Sequence, residues 1–309
     1  MKSTDLISLH DLGRDEVAEI LDLAIRIKKT PASYRNTLLG KTLAMIFEKP
    51  SLRTRVSFEA GMTQLGGHAI YLAPTDISMG KRESVADVAR TLSGMTEGIM
   101  ARTFSHQAII DLARHADVPV INGLSDHLHP CQALADFLTI RETLGKTQGV
   151  RVAYVGDGNN VTHSLMYAAA KLGAHLHAAT PPGYEPDPEV LENARADARD
   201  TGSRIETDHD IEKAVTGADV VYTDTWASMG QEAEHDKRVV IFRPYQVNAA
   251  VMARARPGAI FMHCLPAHRG EEVTDEVIDS KASVIFRQAA NRLHAQKAVL
   301  ALLMGEKGR

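Results

Sequence analysis

Residues 42–55 read TLAMIFEKPSLRTR: a short apolar run from Thr42 to Phe47, a polar loop from Glu48 to Ser51, and a helix-forming stretch that opens near Arg53. Six such residues stopped by a proline-bearing loop read as a buried strand, with a helix starting just past Ser51. Working outward, Val17, Ile20, Leu21, Ala24 and Ile27 recur at helical spacing, so about Arg14 to Lys28 reads as an amphipathic helix. Downstream, apolar runs at Ala69 to Leu72, Gly98 to Ala101 and Val118 to Ile121 alternate with helical segments around Val85 to Leu92, Ala108 to Arg114 and Gln132 to Leu144. That alternation predicts an α/β fold with a parallel sheet covered by helices on both faces.

The segment Glu142 to Gly149 (ETLGKTQG) then breaks the pattern, and a second series begins. Strands are expected at Val150 to Val155, His175 to Ala179, Arg204 to Glu206, Ala218 to Tyr222, Ala259 to His263 and Val284 to Phe286. A last helix, about Ala289 to Met304, is expected to pack back on the first domain. The expected organisation is therefore two α/β domains, residues 1–145 and 146–288, and a returning helix, 289–309. Pro181 to Pro188 (PPGYEPDP) reads as a surface loop.

A chain of 309 residues, 44% hydrophobic and 24% charged, is long enough for two buried cores. Its net charge of -4 argues against electrostatic binding of nucleic acid. The two cysteines, Cys131 and Cys264, lie far apart without a CxxC pattern, which speaks against a disulfide framework or a zinc cluster and for a reducing cytoplasm. The start, MKSTDLISLHDLGRDE, lacks an apolar signal core, and no run approaches the roughly 20 apolar residues of a membrane span. Neither export nor membrane insertion is expected.

Ligands of open α/β sheets collect at the carboxyl ends of strands, and the candidate residues fall there. Ser51, Leu52, Arg53 and Thr54 stand where a helix N-terminus favours an anion, although a plain Ser51 cap with solvated arginines reads equally well. Arg102 ends another predicted strand, an unusual place for a long cation. His129-Pro130-Cys131-Gln132 combines a donor for a carbonyl with an amide for an NH₂ group; its bland reading is a turn before a helix, with Cys131 packed. Gly156-Asp157-Gly158-Asn159-Asn160 resembles a dinucleotide fingerprint but has Val161 at the third glycine and no acidic residue closing the next strand. Asp224 in DTWASMG can meet an ammonium, or merely cap a turn while Trp226 packs. His263-Cys264-Leu265-Pro266 places a thiol at a strand end, where a cationic neighbour lowers its pKa.

Together these segments resemble the aspartate and ornithine carbamoyltransferase family along essentially the whole chain. The resemblance implies a carbamoyl phosphate domain at residues 1–145 and an amino-acid domain at 146–288. The DGNN, DTWxSMG and HCLP segments are similar to the ornithine branch, so the expected reaction is carbamoyl transfer from carbamoyl phosphate to ornithine, within arginine metabolism, serving either arginine biosynthesis or arginine breakdown. Carried over by position, Ser51, Leu52, Arg53, Thr54, Arg102, His129, Gln132, Cys264, Leu265 and Arg292 go to carbamoyl phosphate. Asn160, Asp224, Ser228 and Met229 go to ornithine. Arg53, Arg102, His129 and Cys264 are the catalytic set, with Cys264 as thiolate accepting the amine's proton and His263 tuning it. Leu52 departs from a more common threonine, and Ser78 stands where many relatives carry a glutamine that reaches a neighbouring subunit's substrate. The resemblance also implies a homotrimer or a multiple of trimers, with no metal and no organic cofactor. A same-fold enzyme acting on N-acetylornithine, putrescine or aspartate is the alternative. A non-catalytic subunit is disfavoured by the retained charged residues, and a dehydrogenase by the broken fingerprint.

Overall fold

The computed structural model describes residues 2–77, 79–80, 82–228, 230 and 232–305. Two compact units divide the chain: Met1–Leu138 with Ala290–Arg309, and Thr139–Ala289. Among the described residues no helix is long and apolar enough to cross a membrane.

The first unit is built on four parallel strands, β1 (Thr42–Phe47), β2 (His68–Leu72), β3 (Gly98–Arg102) and β4 (Val120–Leu124), in the order β2-β1-β3-β4. β1, β3 and β4 are almost wholly buried, while the edge strand β2 is half exposed; burial on both faces is why the apolar run of the inner strand β1 is nearly unbroken. Ile46, Ile99, Ala101 and Val120 pack against Val88, Ile109 and Leu112 of the covering helices Val85–Ser93 and His106–His115. Because β2 and β3 lie on opposite sides of β1, the chain leaves β1 and β3 in opposite directions. Such a reversal of strand order opens a crevice past the strand ends. The helix Ile285–Met304 belongs to this unit from Ala290 onward. Asn291 Oδ1 accepts from Lys28 Nζ at 2.8 Å, Lys297 Nζ donates to Gln64 Oε1 at 2.9 Å, and Ala295, Ala298 and Val299 are buried.

The second unit repeats the plan with β5 (Arg151–Val155), β6 (His175–Ala179), β7 (Ile205–Asp208), β8 (Val220–Thr223) and β9 (Ile260–His263), ordered β7-β6-β5-β8-β9 and all parallel. Its reversal lies between β5 and β8. Val155, Val221 and Phe261 pack with Tyr245, Val247 and Val273 in its core.

One expected strand is absent. Val284 to Phe286 does not extend the sheet: Phe261 exchanges backbone hydrogen bonds with Ala282 and Val284, a single bridge at Ser283, and the chain turns helical at Ile285. The short apolar run suggested extension, but Gln288 N bonding back to the Val284 carbonyl shows that the helical turn has begun. The expected surface loop at Pro181 to Pro188 is likewise only partly so, since Pro181 and Pro186 are buried.

Candidate active site

At the first unit's reversal, Ser51 caps the helix Leu52–Gln64, its Oγ accepting from Thr54 N at 3.3 Å. The first-turn N–H groups of a helix have no intrahelical acceptor, so this end favours an anion. The exposed side chain of Leu52 adds nothing to it beyond the backbone. Arg102 pairs in register with Phe47, so the end of β3 lies beside the end of β1, and the Arg102 charge acts on His129. Two residues without a role in the sequence reading brace that loop. Glu48 Oε2 accepts from Phe104 N at 2.9 Å, and buried Lys49 pairs with Asp126 while lying 4.2 Å from the Phe104 ring centre.

Arg292 comes from the last helix into the same unit. Its Nη1 donates to Gln132 Oε1 at 2.6 Å and its Nη2 to Thr54 Oγ1 at 3.2 Å, while Gln132 Nε2 donates to Asp136 Oδ1 at 2.8 Å. All four side chains are buried, so one hydrogen-bonded chain fixes both the helix start and the Gln132 amide. His129 is buried beside it. Burial, then the charges of Arg292, Arg102 and Arg53, hold its pKa well below the ordinary histidine value. A neutral imidazole among guanidinium groups can donate one hydrogen bond to a carbonyl without adding to the positive charge. Cys131 is a packed residue: its Sγ donates to Asn122 O at 3.4 Å, and burial pushes its thiol up to about 12.

The second reversal gathers Asp224, Asn159 and Cys264. Asn159 caps the helix Asn160–Leu172, accepting from Val161 N at 2.9 Å and Thr162 N at 3.2 Å, and its Nδ2 donates to Asp224 Oδ2 at 2.8 Å. The sequence reading singled out Asn160 for ornithine and gave its neighbour no role; Asn159 is the residue that touches Asp224, and Asn160 sits half-buried one position on. The cap signal itself, an asparagine before an apolar periodic run, was there to be read. Asp224 Oδ1 accepts from Thr225 N and from Cys264 Sγ, both at 2.8 Å.

Cys264 thus stands beside a carboxylate, where a cation had been expected. His263 cannot supply one. Its Nδ1 accepts from Leu265 N at 2.8 Å, so that nitrogen carries no proton, and its Nε2 donates to Glu272 Oε1 at 3.0 Å. The ring is neutral and shapes the turn that holds Leu265 at φ 61, a region uncommon for a branched residue. Trp226 is a core residue, buried near Phe242 with ring centres 6.0 Å apart. Arg238 is occupied by Asp157 and the Trp226 carbonyl, at 2.9 and 2.8 Å. Burial still raises Asp157 to about 6 against the pull of Arg238. Ser228 is half-buried four residues after Asp224, whereas Met229 and Ser78 lie outside the described residues.

The glycine that suggested a dinucleotide has another cause. A Cβ on Gly158 would lie 2.2 Å from Pro186 N and 2.7 Å from Tyr184 O, so the 184–186 backbone occupies the space a pyrophosphate would need. Chemically, the first unit offers a helix start suited to an anion beside a buried neutral histidine that can donate to a carbonyl. The second offers a carboxylate and thiol that share a proton, suited to an ammonium.

Comparison with known proteins gives the family. The family model described as the aspartate/ornithine carbamoyltransferase carbamoyl-P binding domain matches residues 4–142, and that described as the Asp/Orn binding domain matches 148–303. An ornithine carbamoyltransferase of Thermococcus kodakarensis is 57% identical over 97% of this chain and 96% of its own length. One of Pyrococcus furiosus, described as anabolic, is also 57% identical, over 97% of this chain and 96% of its own. The solved structure of ornithine carbamoyltransferase from Pyrococcus furiosus superposes with a TM-score of 0.95 at 57% identity, covering 98% of both chains. That from Thermus thermophilus gives 0.89 at 46% identity, over 98% of this chain and all of its own. With nearly its full length matched by both domain models, the chain belongs to the aspartate/ornithine carbamoyltransferase family.

Proposed function

We infer that the protein transfers the carbamoyl group of carbamoyl phosphate to the side-chain amine of L-ornithine, giving L-citrulline and phosphate. The observation that carries the choice of acceptor is Asp224, held by Asn159, Thr225 N and Cys264, with the neighbouring guanidinium of Arg238 already occupied. A carboxylate with a thiol suits an ammonium; an aspartate acceptor calls for guanidinium groups. The names of the relatives support the same acceptor, and the anabolic description of the Pyrococcus furiosus enzyme supports the direction of arginine synthesis.

In this reading residues 1–145 with 289–309 bind carbamoyl phosphate and residues 146–288 bind ornithine. Ser51, Arg53, Thr54, Arg102 and the Leu52 N–H hold the phosphate, which leaves as an anion in the same seat. Neutral His129 and Arg102 donate to the carbamoyl oxygen as charge builds there in the tetrahedral intermediate. Gln132 Oε1, fixed by Arg292, keeps a second lone pair for the carbamoyl NH₂. Asn160, Ser228 and Met229 orient the amino-acid end. The amine must lose a proton, which takes roughly 4 kcal/mol for a group of pKa about 10.4 near pH 7.5. Two anions 2.8 Å apart repel, so the proton acceptor is the Asp224–Cys264 pair acting as one unit rather than a lone Cys264 thiolate. The family membership supports a cytoplasmic homotrimer or multiple of trimers.

A citrulline assay with ornithine, N-acetylornithine, putrescine and aspartate tests the reading. Ornithine is expected to be preferred. Asp224→Asn should raise the KM for ornithine on the order of 100-fold, the loss of about 3 kcal/mol expected for an uncompensated charged contact. Cys264→Ser should move the pH profile of kcat. Activity confined to another amine would overturn the acceptor assignment while leaving the phosphate site standing.

A further inference from the structure

The second unit carries a group of ligand atoms that carbamoyl transfer does not use. Past β9 the chain forms a turn in which His268, Glu271 and Glu272 each bring one ligand atom within 4.8 Å of the others. His235, at the start of the helix His235–Phe242, faces the same turn: its Nε2 lies 3.2 Å from Glu271 Oε2, and its ring is edge-on to that of His268 at 6.5 Å between centres. The turn is firmly built. Gln246 Nε2 donates to the carbonyls of Gly270 and Glu271 at 2.8 and 2.7 Å, and Gly270 N donates to Val273 O at 2.9 Å.

Glu272 is the informative member, because it is fully buried. Its Oε1 accepts from His263 Nε2 and from His268 N, at 3.0 and 2.6 Å. Its Oε2 is buried with no hydrogen-bond donor among the described residues, and His268 Nδ1 lies 3.7 Å from it. A buried carboxylate oxygen left unmatched is costly, and a cation is its natural complement.

We propose that His235, His268, Glu271 and Glu272 form a binding site for a borderline divalent cation such as Zn²⁺ or Co²⁺. Two imidazoles and two carboxylates are a donor set these ions accept, and the spread of 4.8 Å or less in the three-residue core suits bonds of about 2 Å from each donor to a central ion. The second group with such spacing, Asp224, His263 and Cys264, is already internally bonded: the thiol donates to Asp224 and both ring nitrogens of His263 are engaged. An ion at the proposed site would tie the helix that follows the Ser228 segment to the turn that follows Leu265. It would also hold Glu272, the partner of His263.

Cobalt titration of the full-length protein tests this. Co²⁺ should bind with visible d–d bands and without the near-ultraviolet thiolate charge-transfer band, in wild type and equally in Cys264→Ser. His268→Ala and Glu271→Gln should each weaken binding by about tenfold or more, the scale at which even an outer-shell change weakens metal sites. Zn²⁺ should raise the thermal midpoint of wild type and not that of His268→Ala, because only a ligand of the folded state stabilises it. Both variants change partly exposed side chains and leave Glu272 in place, so they are expected to fold. Absence of Co²⁺ binding, binding that disappears in Cys264→Ser, or unchanged affinity in both turn variants would each overturn the proposal.

Discussion

Arg292 shows what a single buried side chain does here. One guanidinium satisfies Gln132 Oε1 and Thr54 Oγ1 at once, and with its amide turned oxygen-inward Gln296 also accepts from Arg292 Nη2 at 2.9 Å. The planar fork makes this possible; an ammonium is a point charge and cannot span the same acceptors in fixed geometry. Arg292→Lys keeps the charge and is therefore expected to lose about 1–3 kcal/mol through the unmatched buried acceptors. It is also expected to raise the KM for carbamoyl phosphate, because the Gln132 amide is no longer fixed. Urea denaturation and substrate kinetics check both, and a variant unchanged in stability and KM would mean that the network does not position the site. Residue-level chemistry was also where the sequence misled. A histidine next to a cysteine suggested a cationic tuner, but which nitrogen of His263 is protonated depends on Leu265 N and Glu272, and no local sequence pattern shows either.

At the scale of elements, the apolar runs announced the sheets well because parallel strands are buried on both faces. Thr42–Phe47 and His175–Ala179 fall where their composition placed them. The strand ends also told where ligands would gather, and Ser51 and Asp224 lie at the two reversals of strand order. Val284 to Phe286 failed because a three-residue apolar run carries no period of its own; only the chain beyond it decides between strand and helix. Gly158 could not be interpreted from sequence for a different reason. Its need for hydrogen instead of a side chain is set by the backbone at Tyr184 to Pro186, more than twenty residues away. Gly158 N also donates to Tyr184 O at 2.9 Å, which locks the two loops together. Gly158→Ala must push one of those loops aside, at about 1–3 kcal/mol by analogy with overpacked cores. Since Asn159 follows directly, the change should also disturb the Asn159–Asp224 bond and weaken ornithine binding more than carbamoyl phosphate binding. Calorimetric melting with binding of each substrate separates these effects, and equal weakening of the two would argue against a local displacement.

At the scale of the whole molecule, the buried histidines of the first unit make its stability depend on pH. His129 is neutral in the folded unit well below the ordinary histidine pKa, because burial and then Arg292, Arg102 and Arg53 oppose its protonation. His106 is displaced the same way, to about 4, by burial and by His127. In the unfolded chain both rings protonate near 6.5. Below that pH the unfolded state binds more protons than the folded one, so the stability of residues 1–138 with 290–309 falls as pH falls. For a fully displaced group the slope is roughly 1.4 kcal/mol per pH unit until its folded-state pKa is reached. His129→Gln removes one titrating ring from this balance and leaves His106 in place. Urea denaturation followed at pH 6.5 and again at pH 5.5 should therefore show a smaller acid loss in the variant than in wild type, whatever the difference between them at pH 6.5. An identical loss in the two proteins would mean that His129 takes up a proton in the folded state, and a cationic His129 would then bring its own charge, as well as a hydrogen bond, to the carbamoyl oxygen.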